Sequence, residues 1–160
     1  MIESEKGLSP GFSKVYLGII CHDNAVFDIS WSPDDHQLAT ASGHQTARVF
    51  DVSTQTCTNI LAGHRSSVKQ VAFNPRNPNI LTTCARDGNI HIWDLRCVGT
   101  PSELGRNITE HKPVNSINQA HSEQDQKKSY PPARPDVSVT AAVWLINREN
   151  TIATACEANS

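Results

Sequence analysis

Short apolar segments alternate with turn-forming clusters along most of the chain. The apolar segments are rich in valine, isoleucine, threonine and aromatic residues, as in 26–31, 68–73 and 139–144. The clusters between them combine residues such as proline, glycine, asparagine and aspartate, as in 32–35 and 86–89. Segments of this length and composition, bounded by such turns, are typical of β-strands and too short for most helices. We therefore predict an all-β chain.

The same series of segments occurs more than once. His22 and His64 each begin a copy and are 42 positions apart, while the closing aromatic residues Phe50 and Trp93 are 43 positions apart. A third copy starts at His121. A period of about 40–45 residues is that of one four-stranded blade of a β-propeller. The predicted fold is a partial propeller of about two complete blades and half of a third, and we expect it to be a piece of a longer protein, because such a ring needs several blades to close.

The repeat divides the chain into five predicted parts. They are an N-terminal tail (1–14), a first blade (15–62), a second blade (63–99), a polar insertion (100–138) and a truncated repeat (139–160). In each copy an outer strand is expected before the histidine and three inner strands after it. The predicted outer strands are 15–20, 57–60 and 114–117.

The residues around one turn indicate the type of repeat. Asp87-Gly88 supplies the positive-φ geometry of a tight turn, so 80–94 is predicted to be a hairpin. Together with Gly63-His64 upstream and Trp93-Asp94 at the close, this spacing resembles that of WD repeats. The resemblance implies a buried chain of hydrogen bonds that fixes the blade. Its members in this copy are His64, Thr83, Asp87 and Trp93.

The other two copies depart from this pattern. In the first, Phe50 replaces the closing tryptophan and has no N–H to donate, and His44 replaces the turn aspartate. We therefore expect the first blade to be less tightly fixed. The members that remain are His22 and Thr40 in the first copy, and His121 with Thr154 in the third.

Trp93, Asp94 and Arg96 resemble the W-D-x-R box of substrate receptors that dock on the damaged-DNA-binding adaptor of cullin-RING ubiquitin ligases. The resemblance implies that Arg96 binds the adaptor and that Asp94 orients it. A guanidinium suits this role because it presents a rigid fork of donors and is weakly hydrated. The alternative is that Arg96 is a solvated surface residue, as an arginine just past a strand often is.

Within the WD-repeat proteins, the chain resembles the denticleless family over roughly residues 20–156. The resemblance implies a nuclear substrate receptor, with a cytoplasmic location left open, that directs the ubiquitination of replication and cell-cycle proteins bound to the sliding clamp. A WD-repeat scaffold of an unrelated complex, in RNA processing or chromatin, is the alternative. The stretches that carry the resemblance are 24–28, 45–47, 67–73, 86–90 and 93–97, with the polar insertion and 138–140.

The insertion from Cys97 to Asp136 is polar and contains several prolines. Because such a segment buries little apolar surface, we predict an irregular, mobile loop. Lys127, Lys128 and Arg134 either form a weak import or partner-contact patch or belong to a solvated linker.

Composition and motifs give little support to an enzyme or a nucleic-acid binder. The 14 basic and 16 acidic residues give a net charge of −2, which provides no electrostatic surface for nucleic acid or an anionic membrane. No phosphate-binding loop, nucleophile elbow or metalloprotease motif is present. The five cysteines form no C-x-x-C pair, and three of the seven histidines recur at one position of the repeat. We therefore expect no enzymatic activity, no metal and no cofactor.

Overall fold

The computed structural model describes residues 18–105, 107–121, 137–148 and 150–157. These residues form strands, turns and loops, and none of them belongs to a helix. Correspondingly, no described segment is a helix long and apolar enough to cross a membrane. The strands are β1 (Val26–Trp31), β2 (Gln37–Ser42), β3 (Thr46–Asp51), β4 (Thr56–Ala62), β5 (Val68–Asn74), β6 (Asn77–Ala85), β7 (Ile90–Asp94), β8 (Thr100–Pro101), β9 (Thr109–His111), β10 (Asn115–Ile117), β11 (Ser138–Trp144) and β12 (Ile152–Glu157).

The strands form blades in chain order. In blade 1, β1, β2, β3 and β4 are hydrogen-bonded side by side and antiparallel. In blade 2 the order is β5, β6, β7 and β10, again antiparallel. The third unit is the antiparallel pair β11 and β12. This is the predicted all-β, partial propeller of two four-stranded blades and half of a third.

The hydrophobic core lies between blades, not inside any one of them. One cluster of buried side chains joins blades 1 and 2, and a second joins blade 2 to the β11–β12 pair. A single sheet cannot bury its own faces, so each blade is stabilised by the next one. The first cluster includes Val49, Leu61, Val71, Leu81 and Trp93, and the second Cys84, Ile90, Val139 and Ala142.

Side chains of β1 and β5, the first strands of blades 1 and 2, also accept hydrogen bonds from the backbone of the next unit. The backbone N–H of Val71 donates to Oδ2 of Asp28 at 3.2 Å, and that of Phe73 donates to Ser30 Oγ at 3.2 Å. Gln70, which is the counterpart of Asp28 in the repeat, accepts from the N–H of Ala142. These bonds set the register of one blade against the next, because they pair specific residues of neighbouring inner strands.

The opposite face of β1 is apolar and exposed. Ile29 and Trp31 are 57% and 52% exposed. Their counterparts in blade 2, Val71 and Phe73, are only 2% and 6% exposed and pack against blade 1. The exposed face of β1 is therefore equivalent to the face of β5 that blade 1 covers.

The insertion is more ordered than its composition predicts. β9 pairs in parallel with β4, the outer strand of blade 1, and β8 pairs with β9. His111 lies 2.9 Å, through Nε2, from Asn59 Oδ1 and is buried. The prediction of an irregular loop is thus wrong for this part, because the edge of β4 offers unpaired backbone groups that composition does not reveal.

The predicted outer strands have different outcomes. The one at 57–60 lies within β4, and the one at 114–117 corresponds to β10. Of the one at 15–20, residues 18–20 form no strand and the others lie outside the described residues. Lys127, Lys128 and Arg134 also lie outside them.

Replacing Asp28 by alanine tests the inter-blade hydrogen bonds. The buried N–H of Val71 would lose its acceptor, so we expect the free energy of unfolding to fall by about 1–3 kcal/mol in urea denaturation. Asp28→Asn retains an acceptor oxygen and is the matched control, with a clearly smaller effect. Equal losses for the two variants would contradict this role of the side chain.

Candidate functional site

A chain of buried hydrogen bonds crosses blade 2. The indole N–H of Trp93 donates to Thr83 Oγ1 at 2.9 Å, and the same oxygen lies 2.7 Å from Nε2 of His64. Nδ1 of His64 lies 3.1 Å from Oδ2 of Asp87. Because a carboxylate only accepts, Nδ1 carries a proton toward Asp87, while Nε2 faces the Thr83 hydroxyl at hydrogen-bonding distance. The structure thus brings together the four residues that the WD resemblance implied.

Asp87 connects this chain to the backbone at two further points. Its carboxylate accepts from the N–H of Arg65 at 2.8 Å and from that of Asn89 at 3.0 Å. Burial alone would raise the pKa of Asp87, but the hydrogen bonds from His64 and from these amides lower it to about 2. The carboxylate therefore fixes the turn at Gly88, whose φ is +77°, to the segment that enters β5.

His91 is a member of the same cluster that sequence reasoning missed. Its ring stacks on that of His64, with centroids 4.1 Å apart, and meets Trp93 edge-on at 5.7 Å. Burial, and then the neighbouring His64, lower the pKa of His91. The available signal was the strand alternation, which puts His91 on the same face of β7 as Trp93.

Blade 1 contains only part of this chain. His22 Nε2 lies 2.8 Å from Thr40 Oγ1, and Phe50 occupies the position of Trp93. Arg48 stands where blade 2 has His91, and it donates through Nη1 to the carbonyl of Cys21 at 2.8 Å. Burial, and then this guanidinium, lower the pKa of His22 to about 4.

The third unit also retains the histidine contact. His121 Nε2 lies 3.0 Å from Thr154 Oγ1. The histidine-to-threonine bond is therefore common to all three units, whereas the aspartate and the tryptophan occur only in blade 2 among the described residues.

A second group of polar residues lies at the other end of β7. Arg96 donates through Nε to Oδ1 of Asp94 at 2.9 Å and through Nη2 to Oδ2 at 2.6 Å. The Arg96 side chain is 60% exposed, while that of Asp94 is 19% exposed. The bond from Arg96 lowers the pKa of Asp94, and Asp94 in turn raises the pKa of Arg96. Asp94 thus orients the guanidinium through two hydrogen bonds, while most of the Arg96 side chain remains exposed.

The two groups are separated by the length of β7. Ile90 follows the Asp87 turn at one end of the strand, and Asp94 ends it at the other. We refer to the end of blade 2 at which β7 finishes, with Asp94 and Arg96, as the Arg96 edge. No three His, Cys, Asp or Glu side chains among the described residues are grouped as metal ligands.

Comparison with known proteins agrees with this architecture. Residues 14–51 and 55–94 match the family model "WD domain, G-beta repeat". Over 151 residues, or 89% of this chain, the sequence is 39% identical to Cell division cycle protein cdt2 of Schizosaccharomyces pombe. It is 33% identical over 152 residues, again 89% of the chain, to the Denticleless protein homolog of Homo sapiens. The chain belongs to the denticleless family of WD-repeat proteins.

The similarity extends to other vertebrate members of this family. The Denticleless protein homolog of Gallus gallus is 41% identical over 106 residues, 66% of the chain. The chain spans 28% of the length of the S. pombe protein, 20% of the human one and 14% of the chicken one. The general WD model matches only as far as Asp94, so it does not account for Arg96.

A double-mutant cycle tests the buried chain of this denticleless-family protein. Trp93→Phe removes the indole donor and Thr83→Val removes the shared hydroxyl. We expect each to lower the free energy of unfolding by about 1–3 kcal/mol. Since both act on one bond, the double variant should lose clearly less than the sum of the two. Strict additivity in urea denaturation would show that the two side chains act independently.

The pH dependence of stability tests the environment of His22. The unfolded histidine has a pKa of 6.5 and the folded one of about 4, so the unfolded chain binds the proton first as the pH falls. The contribution of neutral His22 to the free energy of unfolding is therefore complete above pH 6.5 and is lost progressively as the pH falls from 6.5 to about 4. His22→Gln does not titrate and should show a smaller loss between pH 7.5 and 4.5 in urea denaturation. If the parent chain and His22→Gln lose the same free energy of unfolding over this pH range, the assigned pKa of His22 is wrong.

Proposed function

We propose that the chain is part of a WD-repeat substrate receptor of a cullin-RING E3 ubiquitin ligase, in which the Arg96 edge binds the damaged-DNA-binding adaptor. The observation that supports this most is the fork formed by Asp94 and Arg96. An exposed arginine that is already oriented loses less conformational entropy on binding than one on a mobile side chain. Its remaining donors suit a carboxylate or carbonyl of the partner.

The buried residue that precedes Asp94 supports the fork. Trp93 is completely buried and hydrogen-bonded, and strand alternation then directs the next side chain, Asp94, away from it. Arg96 lies in the turn directly after β7, so a partner that binds it meets a side chain whose carboxylate partner belongs to a strand anchored by a buried residue. Rigid support of this kind is typical of sites whose role is geometric.

The mechanism that follows is templating. The receptor would bind the adaptor through one edge and a short segment of a substrate through another surface, so that the ubiquitin-charged enzyme meets a substrate lysine at high effective concentration. Sliding-clamp-bound replication and cell-cycle proteins are the proposed substrates, and the nucleus is the proposed location. The name of the S. pombe relative, a cell division cycle protein, is consistent with such substrates. No catalytic residue is required of this chain.

Copurification of the full-length receptor with the adaptor tests the proposal. Arg96→Ala should lower the affinity about tenfold or more, since it removes both the charge and the fork. Arg96→Lys retains the charge without the fork and should also bind weakly. Arg65→Ala is the control, because Arg65 is exposed near the Asp87 turn at the other end of the blade.

Two results would contradict the proposal. One is normal adaptor binding by Arg96→Ala. The other is no binding by the parent protein, which would favour a WD-repeat scaffold of another complex, in RNA processing or chromatin.

A further inference from the structure

A cleft of about 250 Å³ lies between blade 2 and the third unit. It opens between the turn that joins β5 to β6 and the turn that joins β11 to β12. Small-molecule sites usually enclose about 300–1,000 Å³, so this cleft has room for one or two side chains and not for a cofactor. Its lining includes Asn74, Arg76, Ile80, Trp144, Leu145 and Arg148.

The cleft belongs to the same edge as Arg96. Ile80, which lines the cleft, is paired with Asp94 in the register of β6 and β7. Neighbouring strands are about 4.8 Å apart, so the cleft begins one strand spacing from the residue that holds Arg96. A protein of ordinary interface size that contacts Arg96 would also cover the cleft.

The charges around the cleft favour an acidic occupant. Arg76 donates through Nη2 to the carbonyl of Ile146 at 2.9 Å and so bridges the two turns. Arg148 is exposed, and its side chain has no hydrogen bond or ion pair with any described residue. The described lining contains no acidic side chain, and Glu149 lies outside the described residues.

One wall of the cleft is apolar, although most of its lining residues are polar. Trp144 is 8% exposed, and its indole N–H donates to the carbonyl of Ala72 at 3.2 Å, which fixes the ring as a wall. Leu145, which lines the cleft, and Ile146, which follows it in the chain, are 40% and 71% exposed. Val98, two residues beyond Arg96, is fully exposed as well. Exposed apolar side chains beside arginines are typical of protein interfaces.

We propose that this cleft binds an acidic segment of the protein that docks on Arg96, with an aspartate or glutamate side chain beside Arg148 and an apolar neighbour against Leu145 and Ile146. The inference rests on the proposed function, because it takes the adaptor as that protein. It adds a second contact to the Arg96 edge and specifies the chemistry of the adaptor surface that faces it.

Affinity measurements on the full-length receptor and the purified adaptor test the proposal. Arg148→Ala should weaken binding about three- to tenfold, and Arg148→Glu should weaken it further through like-charge repulsion. Arg148→Lys preserves the charge and should retain most of the affinity. Raising the salt concentration should weaken the parent complex more than the Arg148→Ala complex, since the ion pair is partly exposed. Arg65→Ala is again the control.

The outcomes separate this inference from the proposed function. If Arg96→Ala loses binding while Arg148→Ala and Arg148→Glu bind normally, the adaptor docks on Arg96 but the cleft is not part of the interface. If neither position affects binding, both proposals are wrong. If Arg148→Ala and Arg148→Lys lose affinity equally, the occupant is not an acidic group.

Discussion

The hydrogen bond from Trp93 to Thr83 is the interaction on which the geometry of blade 2 depends. It fixes the end of β7, because the buried indole must place its N–H against an acceptor, and Thr83 Oγ1 is that acceptor. The same hydroxyl orients His64, and through it Asp87, so one oxygen connects three parts of the blade. The residue that follows Trp93 then points to the surface and holds Arg96. The buried chain and the exposed fork are therefore two consequences of one anchored strand.

Blades 1 and 2 differ in the hydrogen bonds that fix the segment entering the blade to its strands. Blade 1 has no indole at the equivalent position, and an arginine, Arg48, stands where blade 2 has His91. Its Nη1 donates to the carbonyl of Cys21, which ties the entering segment to β3 by a different bond. Packing between blades is nevertheless the same in kind, since Asp28 and Gln70 both accept from the next inner strand. The architecture thus depends more on contact between blades than on any one hydrogen-bond chain within them.

Much of this could be predicted from the sequence, because the repeat places equivalent residues in equivalent environments. The composition of the segments predicted the strands, and the spacing of His64, Asp87 and Trp93 supported the resemblance to WD repeats that implied the grouping of these side chains. His91 was missed because the resemblance to WD repeats implied no role for it, although strand alternation puts it on the same face of β7 as Trp93. The pairing of β9 with β4 and the cleft beside Arg148 were missed because both join segments that are distant in the chain, and a pattern read along one strand contains no information about them.

The parallel pairing of β4 with β9 has a consequence for how the molecule is made. Asn59 and Thr109 are partners in this pairing, although fifty positions separate them, and all of the inner strands of blade 2 lie between them. During synthesis blade 1 leaves the ribosome with an unpaired outer edge, which closes only after β7 has been translated. Contacts of such long range slow folding. We therefore expect the outer edge of blade 1 to be completed later than the pairing of its own four strands, and damage to blade 2 to delay it.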